Sequence, residues 1–182
     1  MCASRIFLTG QPGIGKTTAI RLIARDLEIR GKKVEGMISS EIRSSGERIG
    51  FQLEDIFTHK VGILAHSDDR SDGAPTVGKY YVNIPDIERI GAAAIRKAVI
   101  EAEVVIVDEI GPMELKSTQF ILAVEFALAS KKNLIGTIHK NSKHPLVNSI
   151  KSNVNCRIIE LNSHNRGEIP SEIVNELTQQ VL

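Results

Sequence analysis

The chain has 182 residues, 42% of them apolar and 25% charged, with a formal net charge of +1. This length suits a single domain, residues 1–182, with a substantial core, and the proportions are those of a soluble globular protein. Near-zero net charge excludes a bulk electrostatic attraction to nucleic acid or an anionic membrane. DNA and membranes are therefore not expected as partners, and an RNA or protein partner is left to local features.

Met1-Cys2-Ala3-Ser4 leads into Arg5–Thr9, which reads as the first strand. No apolar run is long enough for a signal peptide or a membrane span, and the expected location is cytoplasmic. Cys2 and Cys156 are too few and too far apart to suggest a disulfide framework or a zinc site. The strand runs into Gly10-Gln11-Pro12-Gly13-Ile14-Gly15-Lys16-Thr17. Strand, glycine-rich turn, then helix is the order a phosphate-binding loop requires. Gly10, Gly13 and Gly15 let the backbone turn its N–H groups inward, where a Cβ would block approach. Those groups would cradle a β-phosphate at the positive end of the next helix. Lys16 would bring its charge to the β- and γ-phosphates, and Thr17 would offer a hydroxyl to Mg²⁺.

Ile20, Ile23, Ala24 and Leu27 fall on one helical face, and Gly31 is placed to end that helix. Two β-like runs follow, Val34–Glu41 and Arg48–Ile56, joined through Arg43-Ser44-Ser45-Gly46-Glu47 as a hairpin. Shorter strands are expected at Lys60–Ala65 and Val77–Asn83, with the most polar and mobile stretch, residues 66–75, between them. A helix is expected over Pro85–Glu101, its stripe being Ile87, Ile90, Gly91, Ala94, Ile95 and Ala98, with Gly91 admitting a close neighbour.

Val104-Val105-Ile106-Val107 is continuously apolar and ends in Asp108-Glu109. Such a run reads as a strand covered on both faces, hence a parallel sheet between helix layers. A helix near Ser117–Ser130 should turn Ile121, Val124 and Leu128 inward. Next come a strand at Asn133–Ile138, a short helix at Pro145–Lys151, a strand at Asn155–Leu161 and a last helix at Pro170–Val181. The alternation predicts an α/β fold: a mostly parallel sheet flanked by helices, with an added antiparallel hairpin region.

Asp108 ends a buried strand, where parallel sheets open onto a ligand crevice, and can hold Mg²⁺ directly or through water. Glu109 can polarise the water that attacks the γ-phosphate. Asp108-Glu109-Ile110-Gly111 also fits the D-x-x-G pattern of switch GTPases, but the guanine-reading Asn-Lys-x-Asp is missing, so weak base selectivity is expected. If the 133–138 strand lies between the first strand and the Asp108 strand, Thr137 or His139 faces the γ-phosphate. Candidates for a transition-state cation are Arg43 and Arg48 first, then Lys140, Lys143, Arg157 and Arg166.

Taken together, Gly10–Thr18, Glu41-Ile42-Arg43 with Gly46, Arg48-Ile49-Gly50-Phe51, Val77–Val82, Asp108-Glu109-Ile110-Gly111-Pro112-Met113-Glu114-Leu115 and Gly136-Thr137-Ile138 resemble the THEP-type nucleoside-triphosphatases. The resemblance implies Mg²⁺-dependent hydrolysis of ATP, GTP and other nucleoside triphosphates, on a RecA-like core. The nucleotide-contacting set would be Gly10, Gln11, Pro12, Gly13, Ile14, Gly15, Lys16, Thr17, Thr18, Asp108, Glu109 and Gly111. Thr17 and Asp108 would serve the metal, and Lys16 and Glu109 the chemistry. The resemblance gives Glu114 no role. Two other readings compete. One is a small nucleotide or nucleoside kinase, with the basic 139–166 region as a lid. The other is a module that binds RNA or protein and uses hydrolysis to time release.

Overall fold

The computed structural model describes residues 3–68 and 73–179. Nine strands form one sheet: β1 (Arg5–Thr9), β2 (Val34–Ser44), β3 (Glu47–Asp55), β4 (Val61–His66), β5 (Thr76–Val77), β6 (Tyr80–Val82), β7 (Val104–Ile110), β8 (Asn133–Ile138) and β9 (Cys156–Glu160). Their spatial order is β5-β6-β4-β3-β2-β7-β8-β1-β9. The half β2-β7-β8-β1-β9 is parallel throughout, whereas β3, β4, β6 and β5 add on as antiparallel neighbours. The hairpin expected after the first unit is thus the start of a longer antiparallel wing.

The apolar runs are continuous because both faces of the parallel half are covered. Ile6 and Leu8 of β1, with Val104 and Ile106 of β7, pack with α1 (Lys16–Ile29) and α6 (Ile169–Gln179). Phe7, Val105 and Val107 point the other way. They pack with α3 (Ala93–Glu101) and α4 (Thr118–Ala129), and with Val147 and Ile150 of α5 (Pro145–Ser152). Val105, Ile106 and Val107 are wholly buried, and each such side chain contributes about 1.5–3 kcal/mol. At two places strands approach so closely that only hydrogen fits. A Cβ on Gly36 would stand 2.1 Å from the Ile106 carbonyl oxygen, and one on Gly136 would stand 2.7 Å from that of Val107.

Several boundaries shift for local reasons. The β2–β3 connection tightens to Ser45-Gly46, both with positive φ, the pattern of a type I′ hairpin turn. The Val77–Asn83 run is split by a turn at Gly78, φ +59°, into β5 and β6. The helix over 84–101 opens as α2 (Ile84–Asp86), passes through a π-helical stretch at Ile87–Ala92 and continues as α3. A Cβ on Gly91 would meet only ordinary contacts. The close approach is made instead by Gly62 of β4, where a Cβ would stand 2.6 Å from Ile90. In α4 the inward residues are Phe120, Ala123, Val124 and Ala127, and Ile121 and Leu128 are half-buried. Gly31 ends α1 as expected, with Lys32 N–H donating to the Leu27 carbonyl and Gly31 N–H to that of Glu28, a Schellman closure. Cys2, the centre of the polar 66–75 stretch and the end of the last expected helix lie outside the described residues. Among the described residues no helix is long and apolar enough to cross a membrane.

Candidate active site

The strand order brings the sequence-predicted pieces together. β8 lies between β1 and β7, so the carboxyl ends of all three open on one side. Thr9 donates through its hydroxyl to the Ile138 carbonyl at 3.2 Å, and His139 N–H donates to the Ile110 carbonyl at 3.4 Å. These bonds tie the three strand ends to one another.

From β1 the chain passes into the glycine loop. Gly10, Gly13 and Gly15 all have positive φ, at 145°, 77° and 106°. At Gly10 a side chain is also barred by space, since a Cβ would stand 2.7 Å from the Leu161 carbonyl oxygen. Gly15 caps α1 with no side-chain hydrogen bond, and the first turn of α1 carries no acidic residue. The leading N–H groups of a 14-residue helix are therefore left for an anion. Lys16 and Thr17 stand in that first turn, and Lys16 Nζ lies 3.9 Å from Glu109 Oε2.

Asp108 is completely buried. Its Oδ1 accepts from the Thr137 hydroxyl at 2.6 Å, and its Oδ2 has no hydrogen-bond partner. Burial pushes the carboxyl up to about 6, against the Thr137 and Thr17 hydroxyls, which favour its charged form. A buried, half-unsatisfied carboxylate oxygen beside a threonine hydroxyl fits a hard cation that takes its other ligands from phosphates and water. Among the described residues there is no cluster of three or more His, Cys, Asp or Glu that would hold a metal by protein groups alone. Burial also raises Glu109, and Lys16 opposes that shift. His139 is held below its ordinary value, first by burial and then by Lys16 and Lys151, and its Nδ1 is buried without a partner.

A family model described as NTPase matches residues 5–174. The chain belongs to this NTPase family. Among the family's curated relatives, the "Nucleoside-triphosphatase THEP1" of Methanosarcina acetivorans is 40% identical over 178 residues, covering 97% of this chain and 98% of that one. The protein of the same name from Thermofilum pendens is 40% identical over 182 residues, covering 100% and 99%. Two solved structures share the fold. The crystal structure of THEP1 from Aquifex aeolicus has a TM-score of 0.84 at 33% identity, covering 95% of this chain and 98% of that one. The solution structure of a human cancer-related nucleoside triphosphatase has a TM-score of 0.82 at 31% identity, covering 99% and 100%. The resemblance in the glycine loop and the Asp-Glu-Ile-Gly segment thus extends to the whole chain, and the fold is an α/β one of the P-loop NTPase kind.

Within this NTPase fold the candidate cations separate. Arg43 and Arg48 both pair with Glu41, and Arg48 also donates to the Tyr80 hydroxyl and stacks on Phe51. Ile38 of β2 pairs with Asp108, so Arg43 lies about 16 Å further along its strand. Lys140 pairs with Glu160, and Arg157 with Glu176. Arg166, placed after Arg43 and Arg48 from the sequence, reaches the glycine loop through a long 3.5 Å bond to the Ile14 carbonyl. Thr137 meets Asp108. Glu114, without a role from the sequence, proves 4% exposed and close to Glu109 and Gly111. A hint was present in Gly111-Pro112-Met113-Glu114, whose spacing suits a turn back toward the strand end.

A cleft of about 860 Å³ lined by Ser4, Arg5, Ser130, Lys131, Cys156 and Arg157, among others, lies at the opposite end of these strands. Arg5 opens β1 and Cys156 opens β9, whereas Asp108 and the glycine loop lie where strands end. Arg5 is committed to the Leu128 and Ser130 carbonyls, and burial pushes the Cys156 thiol up.

Proposed function

We propose that the chain hydrolyses nucleoside 5′-triphosphates to the diphosphate and phosphate, with low selectivity for the base, at the mouth formed by Gly10–Thr18 and Asp108-Glu109. The observation that carries this reading is the meeting of Lys16 with Glu109 at 3.9 Å beside a buried Asp108 with one unpartnered oxygen. The relatives' printed name, nucleoside-triphosphatase, points the same way.

The inward N–H groups of the loop and Lys16 hold the β- and γ-phosphate oxygens and keep them in line with the attacking water. Glu109 takes a proton from that water as its oxygen bonds to the γ-phosphorus. The bond from that phosphorus to the β,γ-bridging oxygen breaks, and the electron pair leaves on the diphosphate. Thr17 and Asp108 would hold Mg²⁺, which when bound supplies charge neutralisation on the phosphates. Thr137 keeps Asp108 oriented. No Asn-Lys-x-Asp reads a guanine, so several bases are accepted. Such an enzyme acts where nucleoside triphosphates are free, in the cytoplasm.

Phosphate release measured across ATP, GTP, CTP and UTP, for the wild type and Glu109→Gln, tests the reading. The variant should bind nucleotide as before and lose on the order of 100-fold or more in kcat. Full turnover in Glu109→Gln would remove the proposed base.

A further inference from the structure

Glu114 is a buried carboxyl to which the hydrolysis described above gives no task. It opens a single 3₁₀ turn, Glu114–Lys116, just after β7. Leu115 N–H donates to the Gly111 carbonyl at 3.0 Å, which folds the chain back over the strand end. The consequence is visible at Gly111. A Cβ there would stand 2.9 Å from Glu114 Oε2 and 3.2 Å from Glu109 Oε1. Two carboxyl groups thus flank one spot that holds no side chain. Gly111 is not among the residues of positive φ, so what its missing side chain provides is room rather than backbone freedom.

A carboxyl in this place is costly. Burying a carboxyl generally costs several kcal/mol against an apolar residue of similar size, and the backbone N–H groups of Gly111 and Glu114 offset only part of that cost here. A packing role alone would be filled better by leucine. Burial first, and then the Glu109 charge, push Glu114 up to about 8. The charged groups facing it are Glu109 and Asp108 from β7, and the N–H groups of Gly111 and of Glu114 itself point the other way in effect, favouring charge. A neutral acid can stand this near Glu109 without the repulsion that two carboxylates would suffer, and it keeps an O–H to offer.

We propose that Glu114 is a positioning residue for hydrolysis, its carboxyl bearing on Glu109 across Gly111 and fixing where the Glu109 carboxylate meets the attacking water. This rests on Glu109 being the proton acceptor. The Glu114 side chain touches neither water nor phosphate in this scheme, and its effect is exerted through Glu109 alone.

The test is steady-state phosphate release with Mg²⁺ and ATP, together with melting temperature and affinity for a non-hydrolysable ATP analogue. The variants are Glu114→Gln, Glu114→Leu, Gly111→Ala and Glu109→Gln. Glu114→Gln, neutral and of the same shape, should keep kcat within about threefold, whereas Glu114→Leu should lose about tenfold or more in kcat at unchanged KM and analogue affinity. Glu114→Leu should also melt no lower than the wild type. Gly111→Ala, which wedges a methyl group between the carboxyls, should lose kcat likewise. A folded Glu114→Leu with wild-type kcat overturns the proposal, and so does a Glu114→Gln as slow as Glu114→Leu. If Glu114→Leu does not fold, wild-type kcat in Gly111→Ala overturns it. Full turnover in Glu109→Gln removes the base and this proposal with it. An inactive Glu109→Gln beside a normal Glu114→Leu removes only the role of Glu114.

Discussion

Replacing Glu114 by Gln should change how the stability of this fold depends on pH. The Glu114 carboxyl rises from 4.5, its ordinary value, to about 8 in the folded chain, chiefly because burial disfavours its charge. Below the unfolded value both states hold the proton, and the contribution to stability is fully present. Above it the unfolded chain releases the proton first, so the folded chain binds more protons and stability falls until the pH passes the folded value. Between pH 5 and pH 8 the loss comes to about 3 kcal/mol. Asp108, Glu109 and His139 are shifted too and add slopes of their own, so the wild type alone does not isolate Glu114. The comparison with Glu114→Gln does, because the variant keeps every other group. Urea unfolding at several pH values is the assay. From pH 5 to pH 8 the stability gap should move by about 3 kcal/mol in favour of the variant, or about 1.5 M in midpoint at a slope near 2 kcal/mol/M. A gap that stays constant over this range would mean that Glu114 carries its charge in the folded protein, and the neutral-acid account would fail.

Other outcomes follow from single contacts. Thr137→Val removes the hydroxyl that donates to Asp108 at 2.6 Å, and should cost about 1–3 kcal/mol in stability, with about a tenfold or greater loss of kcat/KM in phosphate release. Unchanged kinetics would mean that Asp108 needs no orienting partner. Gly36→Ala would put a methyl group 2.1 Å from the Ile106 carbonyl oxygen at φ +133°, against β7 backbone rather than the end of a flexible side chain. It should lower the melting temperature by about 10 °C or prevent folding, and a wild-type melt would show that β2 and β7 can separate cheaply.

How far the chain could be read without coordinates depends on how local each feature is. The glycine loop was legible because contiguous residues make it: three glycines with positive φ, Lys16 and Thr17 lie within one turn and the first coil of α1. The parallel half of the sheet was legible because apolar runs such as Val104–Val107 have no polar face to give to water. The turn residues Ser45-Gly46 and Gly78 were visible as types, but a side-chain pattern of period two does not say where one strand hands over to the next. Hence Val77–Asn83 read as one strand where two are formed.

What tertiary structure alone decided is everything carried by residues far apart in the chain. That β8 lies between β1 and β7 sets Thr137 on Asp108, 29 positions away, yet an apolar strand would pair as well with several neighbours. The arginines sorted themselves the same way: Glu41 engages Arg43 and Arg48, while Arg166 crosses 152 positions to reach Ile14. Glu114 is the sharpest case. A glutamate on paper is a solvated charge, and only the turn that closes on Gly111 takes its carboxyl out of water and sets it beside Glu109. Sequence by itself determined which groups are candidates for phosphate chemistry. The fold determined which of them meet, because the energy that chooses among strand orders comes from packing across the whole core and leaves no mark on any one segment.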